Sequence, residues 1–302
     1  GAGYAPRGEH PYVETVRRGL LWLLRVQDDE GCYGSREGLH WIYDHGAAAW
    51  AMVEAAGLTA DAAFRASAQG ALDLIAMARN PYFAWRYGVK PGDNDTSVTA
   101  WMLMPIALAR TVNRAWEGRP GGPAFQLDEE AFDGAKAWLD KLTDTDYGRT
   151  GYIQRGGSSA RPQALIDRYP GDKTEAMTAL AITLRVEIGE DPTRSRIITR
   201  GLDLLKRLPP EWNPRAGSVD PYYWYWGSLA TWQAGRKHWR AWADALDRQV
   251  RTNQRKDTTY CVYKGSWDPL GPWGRTGGRV YMTALMALTL ETQTRYARRF
   301  GR

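Results

Sequence analysis

The stretch Pro221-Tyr222-Tyr223-Trp224-Tyr225-Trp226 opens a segment that contains no charged residue as far as Ala234. Its length and continuous apolar character predict a helix without a polar face. Asp220 followed by a proline at the first helical position is typical of a capped helix start. Because a helix that is apolar on every side has to be buried on every side, this stretch predicts a central helix surrounded by other helices.

The same combination of an amphipathic helix and a more apolar one recurs five times along the chain. The first amphipathic helix, for example, carries Val13, Val16 and Leu20 on one face and charged residues on the other. The predicted helices are residues 12–26, 44–57, 60–79, 95–112, 128–142, 173–188, 193–208, 221–234, 238–252 and 279–298. This alternation predicts an all-α fold, an α/α toroid of about five helical hairpins whose inner helices run parallel around a central cavity.

Composition and length limit which membrane segments, domains and metal sites the chain can contain. The 302 residues carry a formal net charge of +6, and no run of about 18 apolar residues predicts a membrane span. We expect residues 12–302 to form one toroid domain, and residues 1–11 to be disordered or left by cloning or processing, so that flanking domains or a signal peptide could be missing. Two cysteines and four histidines in no ligand spacing predict neither metal nor cofactor.

The basic tail at residues 295–302 (RYARRFGR) is expected to be a solvated, frayed last turn. No helix-turn-helix, zinc-finger or RNA-binding motif accompanies it, so we expect no nucleic-acid partner. Cys32 and Cys261 fall in corresponding loops of the first and last repeats, which would be neighbours in a closed ring. They are therefore candidates for a disulfide, with two free buried thiols as the alternative.

Several loops resemble a known family. Gln27-x-x-x-Gly31-x-Tyr33 resembles the Gln-x-x-x-Gly-x-Trp repeat of squalene and oxidosqualene cyclases, and Gln254 with Gly265-Ser266-Trp267 resembles a longer-looped copy. Residues 85–87, 92–99, 174–178 and 271–275 resemble bacterial prenyltransferase/squalene-oxidase-repeat proteins, which are squalene-hopene-cyclase-like. This superfamily also holds protein prenyltransferases and complement-type thioester domains. The resemblance implies a terpenoid-cyclase-like toroid over nearly the whole chain.

The resemblance also implies a candidate catalytic acid. Class II terpene cyclases protonate an alkene with the middle aspartate of an Asp-x-Asp-Asp-Thr pattern. Aligning Asp95-Thr96 with that pattern places Asn94 at the donor position, whereas the alternative register retains Asp93 and Asp95 as candidates. An aspartate before a helix is also a good cap and is favoured there as the anion. Acid and cap therefore remain two hypotheses.

Parallel inner helices would bring their starting residues to one mouth, where an aromatic-lined ligand site is expected. Glu175 and Asp220 also fit structural roles, Glu175 in a capping box with Asp172 and Asp220 as the cap before Pro221. The predicted mouth residues are Asp44, His45, Trp85, Glu175, Asp220, Tyr222, Tyr223, Trp226, Arg279 and Tyr281.

Three functions are compatible with this pattern. The first is a non-catalytic or cryptic toroid that binds a protein partner or an apolar small molecule at the mouth, within a larger protein of the cell envelope or exterior. The second is an isoprenoid-handling enzyme that uses Asp93 or Asp95 as its acid, assisted by His45. The third is a glycan lyase or hydrolase built on carboxylates and tyrosines. Zinc prenyltransfer and thioester chemistry are not expected, because residues 279–284 hold no Cys or His and no Gly-Cys-Gly-Glu-Gln stretch occurs.

Overall fold

The structure, a computed structural model, describes residues 6–256 and 261–300, without the side chain of Cys261. This part of the chain contains α-helices, short 3-10 turns and no strand, which confirms the all-α prediction. The helices are α1 (Val13–Val26), α2 (Trp41–Thr59), α3 (Ala62–Ala78), α4 (Thr96–Trp116), α5 (Glu130–Leu142), α6 (Ala176–Ile188), α7 (Arg196–Arg207), α8 (Pro221–Gln233), α9 (Arg236–Thr252), α10 (Gly274–Leu290) and α11 (Thr292–Arg295).

Each predicted helix is present, and the differences lie at the ends. α2 begins at Trp41 instead of Asp44, so that Asp44 lies in its first turn. α10 begins at Gly274, ahead of Arg279, and its backbone leaves helical geometry at Gly278, where φ is 69°. Glycine adopts this left-handed conformation without the steric cost that other residues meet, which lets the chain bend inside a predicted loop.

The chain divides into two compact units, with the boundary between Asp140 and Lys141 near the end of α5. In the N-terminal unit, α2 packs against α1, α3 and α4; in the C-terminal unit, α8 packs against α6, α9 and α10, and α6 packs against α7. Within each unit an apolar helix thus contacts both an apolar and an amphipathic neighbour. The closed ring and the single domain over residues 12–302 stay predictions.

Helix α8 has the environment that its sequence predicts. All its residues except Trp232 are buried, and Trp224, Tyr225 and Trp226 are at most 1% exposed. Asp220 caps the helix, since its Oδ1 accepts from the backbone N–H of Tyr223 at 3.1 Å. The aromatic stretch is therefore the centre of the C-terminal unit.

The two glutamine loops have the same local bond. Gln27 Nε2 donates to the carbonyl of Gly31 at 3.0 Å, and Gln254 Nε2 donates to the carbonyl of Gly265 at 2.8 Å. Gly31 has a φ of 87°, and a Cβ there would lie 2.2 Å from the carbonyl oxygen of Gly70 in α3. Glycine is thus required for the close approach of this loop to α3.

Residues 296–299 are not a frayed turn, so the prediction for the basic tail is wrong there. Arg298 Nε donates to the carbonyl of Trp232 at 3.0 Å, and the Arg299 N–H donates to Gln233 Oε1 at 2.9 Å. Arg299 also binds Glu187 Oε2 through Nη2 at 2.6 Å and Nε at 2.9 Å. The last carbonyls of a helix lack partners within it and attract cations, which explains why this basic segment docks at the ends of α6 and α8.

The predicted N-terminal segment, residues 1–11, is only partly described. Residues 6–11 form no helix, and Arg7 Nη1 donates to the carbonyl of Thr59 at 2.7 Å. Residues 1–5, like Gly301 and Arg302, lie outside the described part of the chain.

Candidate functional site

Asp95, one of the two predicted acids, is the cap of α4. Its side chain is completely buried, and Oδ1 accepts from the backbone N–H of Val98 at 2.7 Å. Oδ2 lies 3.8 Å from Arg86 Nε. Asp93 is 58% exposed and pairs with the same guanidinium. Both candidate acids therefore already have partners within the N-terminal unit.

Asn94, which stands at the donor position of the family pattern, holds the loop together. Its Oδ1 accepts from the backbone N–H of Ala84 at 3.1 Å and from Asn80 Nδ2 at 3.0 Å. Asn80 in turn donates to the carbonyl of Asp93 at 2.6 Å and accepts from the N–H of Gly92 at 2.9 Å. The amide at this position thus has a structural role, and no sequence pattern indicates its partner Asn80.

His45 and Trp85 are core residues. The His45 side chain accepts from the N–H of Tyr33 at Nδ1, and its Nε2 lies 3.2 Å from the carbonyl of Ala71. Burial lowers the pKa of His45 to about 4, so the ring is neutral near pH 7. Trp85 Nε1 donates to the carbonyl of Ile75 at 2.8 Å. Asp44 lies in the first turn of α2, where desolvation by neighbouring protein atoms raises the pKa of its carboxyl.

Glu175 precedes α6 but makes no cap bond, so the predicted capping box is wrong. Its Oε1 accepts from Arg149 at 2.5 Å and 2.9 Å, and its Oε2 accepts from the Thr178 hydroxyl at 2.8 Å. A nearby guanidinium provides stronger hydrogen bonds than a backbone N–H, which explains why the side chain turns away from the helix end. Ser159 supplies the cap instead, accepting from the N–H of Met177 at 3.1 Å.

Asp220 combines its cap with a buried ion pair. Arg161 Nη2 lies 2.7 Å from Asp220 Oδ2, and the two side chains are 4% and 0% exposed. Arg161 Nη1 is 3.4 Å from the carbonyl of Ala160. Its Nε is also buried, yet it has no acceptor among the residues that the structure describes.

Two of the predicted aromatic residues, Tyr223 and Tyr281, interact with the charges of this ion pair. Burial raises the pKa of Tyr223, and the charges of Glu175 and Asp220 add to this. Burial likewise raises the pKa of Tyr281, with further contributions from Asp220 and Tyr222, while Arg161 lowers it. The Tyr223 hydroxyl donates to the carbonyl of Leu208 at 2.7 Å.

Two further predicted mouth residues, Trp226 and Arg279, are held by aromatic packing and by hydrogen bonds, respectively. The fully buried Trp226 packs edge-on against the rings of Tyr222 and Tyr225, with centroid distances of 6.3 Å and 5.4 Å. Arg279 donates to Ser266 Oγ at 2.9 Å and to Asp268 Oδ1 at 2.7 Å. Trp226 is thus a core residue, and Arg279 is held by the loop that precedes α10.

A cavity of about 320 Å³ lies beside Arg161; we call it the Arg161 cavity. Its wall is formed by residues 152–154, 157–161, 166 and 171 of the long loop before α6. Arg161 connects this wall to the start of α8, and Ser159 connects it to the start of α6. The predicted helices leave residues 143–172 as a long loop, but no sequence pattern indicates that Arg161 would reach Asp220, 59 residues away.

A second cavity, of about 260 Å³, lies in the N-terminal unit between α3, α4 and residues 126–128. Neither Asp93 nor Asp95 lines either of these two cavities. In the described part of the chain, no three His, Cys, Asp or Glu side chains come together in a group that could hold a metal ion.

Cys32 is a buried thiol that is not in a disulfide, and burial raises its pKa. Its Sγ lies 3.8 Å from the carbonyl oxygen of Tyr33. Cys32 therefore matches the alternative of a free buried thiol, whereas the Cys261 side chain lies outside the described residues.

Fold and site together define an all-helical protein with a loop-walled cavity at the starts of two buried helices. Comparisons with protein-family models, with curated proteins and with solved structures gave no match. No helix in the described residues is both long and apolar enough to cross a membrane.

Proposed function

We propose that the protein binds a small ligand, without transforming it, in the Arg161 cavity. The observation that carries this proposal is the cavity of about 320 Å³, whose wall is one long loop that Arg161 joins to Asp220 and Ser159 joins to the start of α6. Both of these anchoring side chains are buried, so the loop holds the wall in place. A wall that is already ordered lowers the entropic cost of binding a ligand.

The cavity has the size and lining of a small-molecule site. About 320 Å³ is near the lower end of the range of about 300–1,000 Å³ that is usual for ligand pockets. Ile153 and Ile166 are 46% and 40% exposed on its wall, whereas Gln154 and Ser158 offer polar groups. The site thus suits a small molecule with both polar and apolar parts, which differs from the apolar molecule or protein partner expected from the sequence.

The carboxylates argue for binding in preference to catalysis. A general acid has to hold a proton that it can transfer to a substrate within hydrogen-bond reach. Asp95 and Asp220 accept from the N–H groups of the helices that they cap, while Glu175 accepts from Arg149 and Thr178. Proton transfer from these groups would require breaking contacts that hold the fold.

The α/α toroid expected from the sequence also belongs to this proposal. Within each unit the apolar helices pack side by side, α2 with α4 and α8 with both α6 and α10, while amphipathic α3 packs on α2 and α9 on α8. This arrangement supports a terpenoid-cyclase-like α/α toroid.

Isoprenoid chemistry at Asp93 or Asp95 stays the alternative function. Unchanged squalene turnover in Asp93→Asn and Asp95→Asn would exclude it.

Ligand-observed NMR with a mixture of small neutral, anionic, cationic and apolar compounds tests the proposed binding. Ser158→Trp would fill the cavity from its wall, and Gln163→Trp places the same ring on an exposed position of the same loop that does not line the cavity. We expect compounds whose signals vanish with Ser158→Trp and persist with Gln163→Trp. If no compound distinguishes the two variants, the proposal is wrong.

A further inference from the structure

The cavity of about 260 Å³ in the N-terminal unit combines an apolar floor with carboxylates; we call it the Asp73 cavity. Its wall consists of Leu72, Asp73, Ala76, Ile106, Gln126, Leu127 and Asp128. Leu72 and Ile106 are 3% and 2% exposed and form the floor, whereas Asp73 is exposed and can be reached from solvent. The cavity therefore offers a ligand both an apolar surface and an accessible negative charge.

Two amide side chains, one on α3 and one on α4, hold the loop side of the Asp73 cavity in place. Gln69 Nε2 donates to the carbonyl of Gln126 at 3.1 Å, and Gln69 Oε1 accepts from the N–H of Gln126 at 2.9 Å. Asn113 makes the same pair of bonds with Phe125, both at 2.8 Å. This wall is ordered before a ligand arrives, which lowers the entropic cost of binding.

The two carboxylates of the wall differ in their partners. Arg79 binds Asp128 through Nε at 2.6 Å and through Nη2 at 3.1 Å, so this carboxylate already has its counter-ion. Asp73 Oδ1 accepts from Gln69 Nε2 at 2.8 Å, whereas Oδ2 accepts no hydrogen bond from any residue that the structure describes. Asp73 thus leaves one negative charge on the wall without a cation from the described chain.

Gln69 also fixes where the Asp73 carboxylate lies. Its Nε2 donates both to Asp73 Oδ1 and to the carbonyl of Gln126, so these two oxygens flank one amide nitrogen between α3 and the loop. Both acceptors retain unused lone pairs. An ammonium group carries three N–H donors and a positive charge, so it is complementary to this pair of oxygens.

We propose that the Asp73 cavity binds a small primary amine that has an apolar body and carries no carboxylate. The ammonium group bonds to Asp73 Oδ2, and the apolar body packs on the half-buried Ala76 and Leu127. About 260 Å³ is slightly below the range of about 300–1,000 Å³ that is usual for ligand pockets, so the amine is small.

A carboxylate on the ligand would be repelled at this site. Glu129 and Glu130 directly follow Asp128, and their side chains are 63% and 80% exposed. Like charges at short range raise the free energy of a complex. The site therefore discriminates against anions and against free amino acids. It is independent of the Arg161 cavity, because it uses other residues in the other unit.

Calorimetric titration with matched compounds tests this specificity. The amines are hexylamine and phenethylamine; the matched probes are hexanol, phenylethanol, hexanoate, phenylalanine and Nα-acetyl-lysine methylamide. We expect saturable 1:1 binding of at least one amine, tighter than the other probes by about fivefold or more, the factor that a solvent-exposed ion pair provides at its upper limit. No amine binding, or equal or tighter binding of any other probe, would overturn the proposal.

Asp73→Asn tests the role of the carboxylate. Asparagine keeps an acceptor for Gln69 and has a helix propensity close to that of aspartate, so the fold should persist. We expect amine binding to weaken by about fivefold. Asp133→Asn is the matched control, because it removes the same charge from an exposed position of α5 that does not line the cavity. Equal affinities in the two variants would show attraction by net charge alone and would refute the site.

Two tryptophan variants and one resonance locate the bound amine. Ala76→Trp fills the cavity and should abolish binding, whereas Met77→Trp places the same ring on the neighbouring exposed position and should not. If Ala76→Trp does not fold, the wild-type backbone amide resonances decide. The Leu127 resonance should shift saturably while that of Ser158 stays in place. An amine that shifts Ser158 and not Leu127 occupies the Arg161 cavity, which contradicts this site and leaves the proposed function intact.

Discussion

Arg161 and Asp220, 59 residues apart in the chain, form an ion pair of 2.7 Å with side chains 4% and 0% exposed. The pair fixes the long loop before α6 to the start of α8, a helix that contains no charged residue. It therefore serves two purposes, because it stabilises that helix start and holds the loop that forms the cavity wall.

Breaking the ion pair of Arg161 and Asp220 should lower the free energy of unfolding. Arg161→Met leaves the Asp220 carboxylate buried without its counter-ion, and removal of one partner of a buried pair typically costs about 3–5 kcal/mol. Asp220→Asn added to this variant should restore part of the loss, because asparagine is a good cap and carries no charge. Urea unfolding of the single and double variants measures this. A loss below about 1 kcal/mol for Arg161→Met would show that the pair is not buried.

The two candidate acids before α4 should differ in their contribution to stability. Asp95→Ala removes a buried cap and should cost about 1–3 kcal/mol, and Asp95→Asn, which retains an acceptor, should cost less. Asp93→Ala is the control, since this exposed ion pair should contribute less than about 1 kcal/mol. Equal unfolding midpoints for the two alanine variants would contradict the assignment of Asp95 as the structural residue.

His45 should make the N-terminal unit sensitive to acid. Its pKa is about 4 when folded and about 6.5 when unfolded, so between these values the unfolded chain binds more protons. The free energy of unfolding therefore includes the full contribution of a neutral His45 above pH 6.5. It decreases by about 3 kcal/mol in total as the pH falls from 6.5 to 4. NMR titration of the His45 ring checks this, and His45→Gln should flatten the pH dependence of unfolding. A measured folded pKa near 6.5 would refute the prediction.

The docked end of the chain should stabilise the ends of α6 and α8. Arg299→Ala removes two bonds to Glu187, which is 7% exposed, and should cost about 1.5–3 kcal/mol. Hydrogen exchange in the last turns of α6 and α8 should then accelerate. Arg251→Ala is the control, because that arginine is 68% exposed in a pair within α9 and should change exchange little. Equal exchange in both variants would mean that the segment does not protect these helices.

The sequence predicted the helices well because their signals are local. The helical period located α1 to α10, and the glutamine loops at Gln27 and Gln254 proved equivalent in their bonds to Gly31 and Gly265. The site was predicted less well. Its key side chain, Arg161, is defined by a contact with Asp220 that no local pattern encodes, and Glu175 turned from a cap towards Arg149 because of a partner 26 residues away.

The most direct measurement of ligand binding at the Arg161 cavity is the backbone amide resonance of Ser158 on its wall, followed during titration with the compound mixture. This resonance should shift saturably with the compound that binds, while the amide resonance of Gln163, which does not line the cavity, stays in place. If bound compounds leave the Ser158 resonance unchanged, or if none binds, the protein does not use this cavity as its ligand site.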